Sequence, residues 1–141
     1  MLLFSGSALA GDGWLTSHAA AVKKSKKTGK PILADFTGSD WCGYCIRLHR
    51  EVFGTAAFKS WAAKNVILLE LDFPRGKPQS AALRSQNAQL ARKYQIQGYP
   101  TILFLDASGN VLGESGYMSG GPQPWIKHAS DVLKRKPGRG G

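Results

Sequence analysis

The sequence FTGSDWCGYC at residues 36–45 decides the fold, because it holds both cysteines of the chain between an apolar run and a helical pattern. The run before it, residues 31–36, is typical of a buried strand interrupted by one acid, Asp35. After it, residues 46–53 carry apolar side chains at helical spacing. The stretch therefore predicts a strand, a short loop and a helix, with Cys42 at the N-terminus of that helix.

The composition indicates one globular domain. The chain has 141 residues, of which 43% are hydrophobic, and this is enough to bury a continuous core. We predict a single domain over residues 11–136. The formal charge of +10 comes from lysines and arginines spread over several elements, without one basic stripe interleaved with aromatic residues. We therefore expect no nucleic-acid partner, and we expect a monomer.

The two ends of the chain differ from this domain. Residues 1–10 combine a short apolar run with small residues that end in Ala8-Leu9-Ala10, a cleavage pattern typical of secretory signals. The run lacks a basic beginning and is short for a signal, so an apolar N-terminal arm is the alternative. We favour export, and thus a periplasmic or secreted protein over a cytoplasmic one. Residues 137–141 are predicted to be a flexible tail, and no apolar run is long enough to predict a membrane span.

Hydrophobic periodicity along the chain predicts the order α, β, α, β, α, β, β, α. The first helix is predicted to include Trp14 and Leu15. Residues 65–72 form the strongest strand pattern, a nearly continuous apolar run, and we expect this strand to be central. Residues 101–105 and 111–116 flank a turn and predict a hairpin. The elements together predict an α/β fold whose central mixed β-sheet has helices on both faces.

Two cysteines at i and i+3 on the first turn of a helix can form a disulfide with little backbone movement. The free N–H groups and the positive end of the helix dipole favour the thiolate of Cys42. Because the thiolate is the attacking species in disulfide exchange, we predict Cys42 as the nucleophile and Cys45 as the resolving thiol.

Two inert roles for the cysteines are the alternatives. A structural zinc site needs four ligands, and His49 is the one further candidate near the pair. An inert disulfide across two intervening residues would close too small a loop to stabilise the fold much. We therefore predict no metal and no cofactor.

Two acids near the cysteines also attract attention. An acid inside an apolar strand is costly to bury in its charged form, so Asp35 should be protonated at moderate pH or paired. From below the site it could take the proton of Cys45. The alternative is an Asp at a strand end in contact with water. Asp40 is expected to be an exposed N-cap of the active-site helix.

These motifs resemble the thioredoxin family. The resemblance is carried by WCGYC at residues 41–45 after an Asp-Phe strand, and by GYPT at residues 98–101. It covers residues 30 to 133, and the FTGSDWC lead-in is more similar to bacterial thioredoxin-like proteins than to thioredoxin itself. It implies a thioredoxin-like fold.

The resemblance implies roles for further residues. Pro100 would be a cis proline that faces the cysteines and shapes a substrate groove, and Tyr99 would offer backbone groups to an extended peptide. The other implied substrate-binding residues are Trp41, Gly43 and Tyr44. Thioredoxin also has a buried acid at the position of Asp35, although this chain has one more residue between that acid and the first cysteine than thioredoxin has.

A further departure concerns Glu70, which aligns with a lysine of thioredoxin. If Glu70 points inward, it would raise the pKa of one of the two acids, and the alternative is that it points to solvent. We predict a thiol–disulfide oxidoreductase that exchanges its cysteine pair with protein or small-molecule disulfides and is recycled by a redox partner. A redox-inactive thioredoxin-like binding module is the alternative.

Overall fold

The computed structural model of the protein describes residues 13–135, so the predicted N-terminal arm and C-terminal tail lie outside the described residues. The helices in this range are α1 (His18–Thr28), α2 (Gly43–Leu48), α3 (Ala56–Asn65), α4 (Ala81–Lys93) and α5 (Pro122–Lys134). The strands are β1 (Ile32–Thr37), β2 (Ile67–Asp72), β3 (Thr101–Leu105) and β4 (Val111–Ser115). A π-helical segment, His49–Phe53, continues α2.

The strands form one mixed sheet in the order β2-β1-β3-β4. β1 runs parallel to β2 and antiparallel to β3, and β3 and β4 form the predicted hairpin. In this register Asp35 lies opposite Glu70 on one side and Ile102 on the other. The predicted α/β class and the mixed sheet are confirmed.

The prediction that residues 65–72 form a central strand is wrong. Within the described range β2 is an edge strand, and β1, all of whose residues are buried, lies between β2 and β3. The outer side of β2 is covered by Leu15, whose N–H donates to the carbonyl of Leu68 at 2.9 Å. An apolar run reports that both faces of a strand are covered, and it does not report how many strands flank it.

The start of the first helix also differs from the prediction. α1 begins at His18, and the side chain of Ser17 caps it by accepting a hydrogen bond from the N–H of Ala20 at 3.1 Å. Leu15 instead bridges to β2, and the ring of Trp14 packs against the rest of the core. Both residues are buried and apolar, and their positions match the apolar spacing of the helix although they lie before its start.

Alternate side chains of the sheet enter two hydrophobic cores. Leu33 belongs to the core formed with α2, α3 and α5, which surrounds the fully buried Trp125. Ile32 belongs to the core formed with α1 and α4. Helices therefore cover both faces, as predicted. Asp35 has the same parity as Leu33, so its carboxyl lies on the α2 side of the sheet.

Candidate active site

Cys42 and Cys45 form a disulfide at the N-terminus of α2. Cys42 is the N-cap residue, and its sulfur accepts a hydrogen bond from the N–H of Cys45 at 3.2 Å. The two Cα atoms are 5.2 Å apart, within the ordinary range for a disulfide. Cys42 is 7% exposed while Tyr44 is 56% exposed, so a partner that reaches Cys42 must contact its neighbours in the loop.

The loop between β1 and α2 packs tightly against the cysteines. The N–H of Gly38 donates to the sulfur of Cys45 at 3.4 Å, and its carbonyl accepts from the N–H of Cys42 at 2.9 Å. A Cβ atom at Gly38 would overlap the indole of Trp41. This role of Gly38 was not predicted, although a glycine three residues before a tryptophan is visible in the sequence.

Asp35 lies in a cavity of about 340 Å³ that Cys45 and Glu70 also line. The side chain is buried, and its Oδ1 atom has no hydrogen-bond partner among the described residues. Burial raises the pKa of Asp35 well above its usual value, and the charges of Glu70 and Asp72 raise it further. Asp35 therefore keeps its proton to a higher pH than an exposed carboxyl does.

Glu70 lines the same cavity and is half-buried. Register partners on adjacent strands place their side chains on the same face of the sheet, and Glu70 is the β2 partner of Asp35. Burial raises the pKa of Glu70, the charge of Asp72 adds to this effect, and Lys77 opposes it. Asp35 is the more deeply buried of the two acids, so Glu70 loses its proton first as the pH rises.

Tyr99 and Pro100 lie beside the cysteine loop, and the peptide bond between them is cis, as the resemblance implies. The ring of Tyr99 meets that of Trp41 edge-on, with centroids 5.8 Å apart. Tyr99 and Pro100 line an open groove of about 480 Å³ together with Tyr44. The other residues that line this groove are Arg47, Tyr117 and Ser119.

Trp41 is held by the loop that follows β2. Its Nε1–H donates to the carbonyl of Phe73 at 2.7 Å. The guanidinium of Arg75 lies over the indole, 3.7 Å from the ring centroid. The active-site loop thus has a second support that is distant in sequence, and no local pattern indicated it.

Asp40 belongs to the same support, and the expectation that it caps α2 is wrong. Its carboxylate accepts hydrogen bonds from the backbone N–H groups of Arg75, at 3.0 Å, and Gly76, at 2.7 Å. These bonds lower the pKa of Asp40. The cap position falls to Cys42 because α2 begins at Gly43, two residues further along than an Asp40 cap requires.

A charged and aromatic cluster borders the groove, and sequence reasoning missed it. The guanidinium of Arg47 lies 5.0 Å from the ring centroid of Tyr117 and 5.8 Å from that of Tyr44. Its Nε–H donates to Glu51 at 2.9 Å, and the Tyr117 hydroxyl donates to the same carboxylate. The spacing of Arg47 and Glu51 was visible in the sequence, whereas Tyr117 joins them from a distant part of the chain.

The residues predicted for the site lie together where β1 ends. They are Asp35, Trp41, Cys42, Gly43, Tyr44, Cys45, Tyr99 and Pro100. Within residues 13–135, no group of three His, Cys, Asp or Glu side chains is placed to hold a metal ion. None of the helices in the described range has the length and apolarity that crossing a membrane requires.

Comparisons with known proteins agree with this site. A family model described as a thioredoxin-like domain matches residues 19–128. The chain is 35% identical over 118 residues to the disulfide bond reductase DsbH of Chlamydia pneumoniae, a match that covers 84% of this chain and 71% of the relative. A solved structure of a DsbH oxidoreductase superposes with a TM-score of 0.81 at 32% identity, covering 94% of this chain and 96% of that chain.

A second relative is matched over a smaller share of its length. The thioredoxin-related protein DsbJ of Chlamydia pneumoniae is 30% identical over 129 residues, which are 86% of this chain and 37% of the relative. The predicted thioredoxin-like fold is confirmed by these similarities. The predicted thiol–disulfide oxidoreductase is confirmed by the relatives together with the Cys42–Cys45 pair. The chain therefore belongs to the family of thioredoxin-like domains.

Proposed function

We propose that the protein works as a reductase, with Cys42 as the nucleophile. The observation that carries the proposal is the position of the pair: Cys42 caps α2, and Cys45 lines the cavity that holds the Asp35 carboxyl. A helix N-terminus favours a thiolate at Cys42. The name of the relative DsbH, a disulfide bond reductase, supports this direction of the reaction.

The reaction begins from the dithiol form. The Cys42 thiolate attacks one sulfur of the substrate disulfide, forms a mixed disulfide and expels the other substrate sulfur as a thiolate. Cys45, deprotonated, then attacks the Cys42 sulfur, re-forms the Cys42–Cys45 disulfide and releases the second substrate thiolate. The substrate gains two electrons and the cysteine pair loses two, so a dithiol donor must reduce the pair before the next cycle.

Asp35 accepts the proton of Cys45 in the second step. Both groups line the same cavity, and its volume of about 340 Å³ leaves room for water to carry the proton between them. The raised pKa of Asp35 makes its carboxylate a stronger base, closer in proton affinity to a thiol than an exposed Asp is. Glu70, which adds to this shift, strengthens the same base.

The substrate lies in the groove beside the cysteines. Tyr99 and Pro100 precede β3, so their backbone groups suit an extended segment that adds to the end of the sheet. Tyr44 lines the groove next to the nucleophile, and Trp41 contacts the ring of Tyr99. We propose that Trp41 and Gly43, the neighbours of Cys42 in the chain, also contact the bound segment. A protein disulfide fits this site better than a small molecule because the groove is open along its length.

We also propose that the protein acts as a monomer in an exported compartment, periplasmic or secreted. The small residues Ala8-Leu9-Ala10 support export. Expression of the full chain in a Gram-negative host, followed by fractionation and mass spectrometry, tests this: a periplasmic product beginning at Gly11 is expected. A cytoplasmic product with its first ten residues retained would contradict it.

Insulin reduction tests the activity. The native protein should catalyse precipitation of the insulin chains with dithiothreitol as the electron donor, and Cys42→Ser should abolish the catalysis. The reduction potential of the native protein should lie at or below about −200 to −230 mV, the range of glutaredoxins. Equal and negligible turnover by both proteins would favour a redox-inactive binding module, and a potential of about −120 mV would indicate an oxidant.

A further inference from the structure

The groove beside Cys42 is lined by the guanidinium of Arg47, which the proposed reaction does not use and which forms an ion pair with Glu51 at 2.9 Å. Among the described residues that line it, Arg47 alone is charged, and the others are aromatic, hydroxyl or proline side chains. The side chain of Arg47 is 47% exposed. Any segment that occupies the groove therefore meets this guanidinium.

Arg47 is held in one orientation with part of its hydrogen-bonding capacity unused. Its guanidinium lies over the ring of Tyr117, and its Nε–H donates to Glu51. Glu51 is fixed in turn by the Tyr117 hydroxyl. The two terminal amino groups of Arg47 have no hydrogen-bond partner within residues 13–135, so they can bind a carboxylate of another molecule.

A second arginine, Arg75, lies over Trp41, the residue next to Cys42 in the chain. The exposed Arg75 stacks on Trp41, the residue before Cys42, with its guanidinium 3.7 Å from the ring centroid. Asp40 accepts from the backbone N–H of Arg75, and the guanidinium has no ion-pair partner in the described part of the chain. Two guanidinium groups are therefore positioned on aromatic residues of the cysteine loop, Arg75 on Trp41 and Arg47 near Tyr44.

We propose that Arg47 and Arg75 select protein disulfides whose cysteine is flanked by acidic residues. The inference rests on the proposed function, since it names the class of substrate for the same site. An extended segment bound past Tyr99 and Pro100 would bring side chains on either side of its cysteine toward the two arginines. The net charge of +10 adds a long-range attraction for such partners.

The experiment compares two ten-residue peptides with one central cysteine, flanked by Asp in one and by Lys in the other. Each peptide is supplied as a mixed disulfide with thionitrobenzoate, and the rate at which the reduced protein releases thionitrobenzoate is measured. This rate is divided by the rate of release by dithiothreitol, which corrects for the intrinsic reactivity of each peptide. We expect a preference for the acidic peptide that Arg47→Gln and Arg75→Gln each lower by up to about fivefold, the range of one exposed ion pair. Higher salt should lower the preference in the native protein.

Arg84→Gln is the matched control. It removes the same charge from an exposed position on α4 that lines neither the groove nor the cavity. It should leave the preference unchanged. No preference in the native protein, or an equal loss in Arg84→Gln, would overturn the proposal.

A binding measurement separates this inference from the proposed function. The same peptides with Ser in place of Cys are titrated into Cys42→Ser protein, and the indole N–H signal of Trp41 is followed by NMR. Tighter binding of the acidic peptide supports the proposal even if the native protein releases no thionitrobenzoate. Absence of release would contradict the proposed reductase activity, and not the selection by charge. Equal binding of both peptides would overturn the selection by charge.

Discussion

Asp35 and Glu70 are register partners on two parallel strands, and both carboxyls line the cavity beneath Cys45. Two carboxyls this close cannot both ionise easily, so the charge of one raises the pKa of the other. The deeper acid, Asp35, keeps the proton. The pair therefore places a base of raised proton affinity beside the resolving thiol.

Asp35→Asn should slow the release of the mixed disulfide without slowing its formation. The amide keeps the size of the side chain but cannot accept the Cys45 proton, and loss of general base catalysis costs on the order of 10²- to 10⁴-fold. Rapid-mixing kinetics with a single turnover of substrate separates the two steps. Asp131→Asn, at an exposed position on α5, is the control and should behave like the native protein. An unchanged release rate would remove Asp35 from the mechanism.

Glu70→Gln should shift the pH dependence of the same step to lower pH. The substitution removes a negative charge that raises the pKa of Asp35, while the burial that raises it most remains. Asp35 then ionises at a lower pH, so the acidic limb of the release rate moves down. The measurement is the release rate across pH 4–9, with Glu114→Gln on β4 as a control for the change of charge. Coincident profiles would show that Glu70 does not act on Asp35.

Asp35→Asn should also stabilise the fold at neutral pH. The pKa of Asp35 is raised, so the folded chain binds the proton more tightly than the unfolded chain. The free energy of unfolding therefore falls as pH rises from the ordinary pKa of Asp to the raised one, and it stays low above that window. Asn has no charge to bury, and we expect a gain of about 1–3 kcal/mol at pH 7.

Urea denaturation of the oxidised proteins at several pH values tests this gain. The advantage of the variant should shrink toward pH 3, where Asp35 is protonated in both the folded and the unfolded chain. A constant difference across the pH range would mean that the substitution acts through packing and not through the charge.

Gly38→Ala should destabilise the protein by about 1–3 kcal/mol, because the added Cβ would overlap the indole of Trp41 and overpacking costs this much. The displaced indole would also lose its hydrogen bond to Phe73. Thermal unfolding with tryptophan fluorescence reports both effects. Gly43→Ala is the matched control, since its Cβ would meet nothing within 4 Å, and it should not destabilise. Equal stability of both variants would show that the loop adapts around Trp41.

Local patterns were enough to predict most elements and the cysteine pair. The spacing of Cys42 and Cys45, the apolar run before them and the turn that joins the two strands of the hairpin all act over a few residues, and each was found as predicted. The prediction that β2 is a central strand was wrong because an apolar run indicates that a strand is buried and not how many strands lie beside it. The prediction that the first helix includes Trp14 was wrong because a buried residue before a helix can match the helical spacing by chance.

The supports of the site could not be predicted because their partners are far apart in the chain. Asp40 binds backbone N–H groups after β2, and no side-chain pattern marks a backbone donor. Tyr117 reaches Glu51 from the segment after β4, and only the folded sheet brings them together. The direction in which Glu70 points depended on strand register, which the sequence left open.

Asp40→Ala should loosen the loop after β2 and, through it, the placement of Arg75 over Trp41. The carboxylate accepts the N–H groups of Arg75 and Gly76, and both amides become free when it is removed. Their hydrogen exchange should be about tenfold faster, as expected for hydrogen bonds to a charged acceptor. Because these bonds lower the pKa of Asp40, the protection of the native protein should persist at neutral pH and be lost as pH falls through that lowered pKa.

The control for this prediction is Asp131→Ala, which removes an exposed carboxylate paired with Lys127 on the last helix. It should leave the exchange of the Arg75 and Gly76 amides unchanged. If Asp40→Ala exchanges these amides no faster than the control does, the loop is held by Trp41 and its bond to Phe73 alone. In that case the selection of acidic substrates by Arg75 should survive in Asp40→Ala, whereas a loosened loop should weaken it together with the protection.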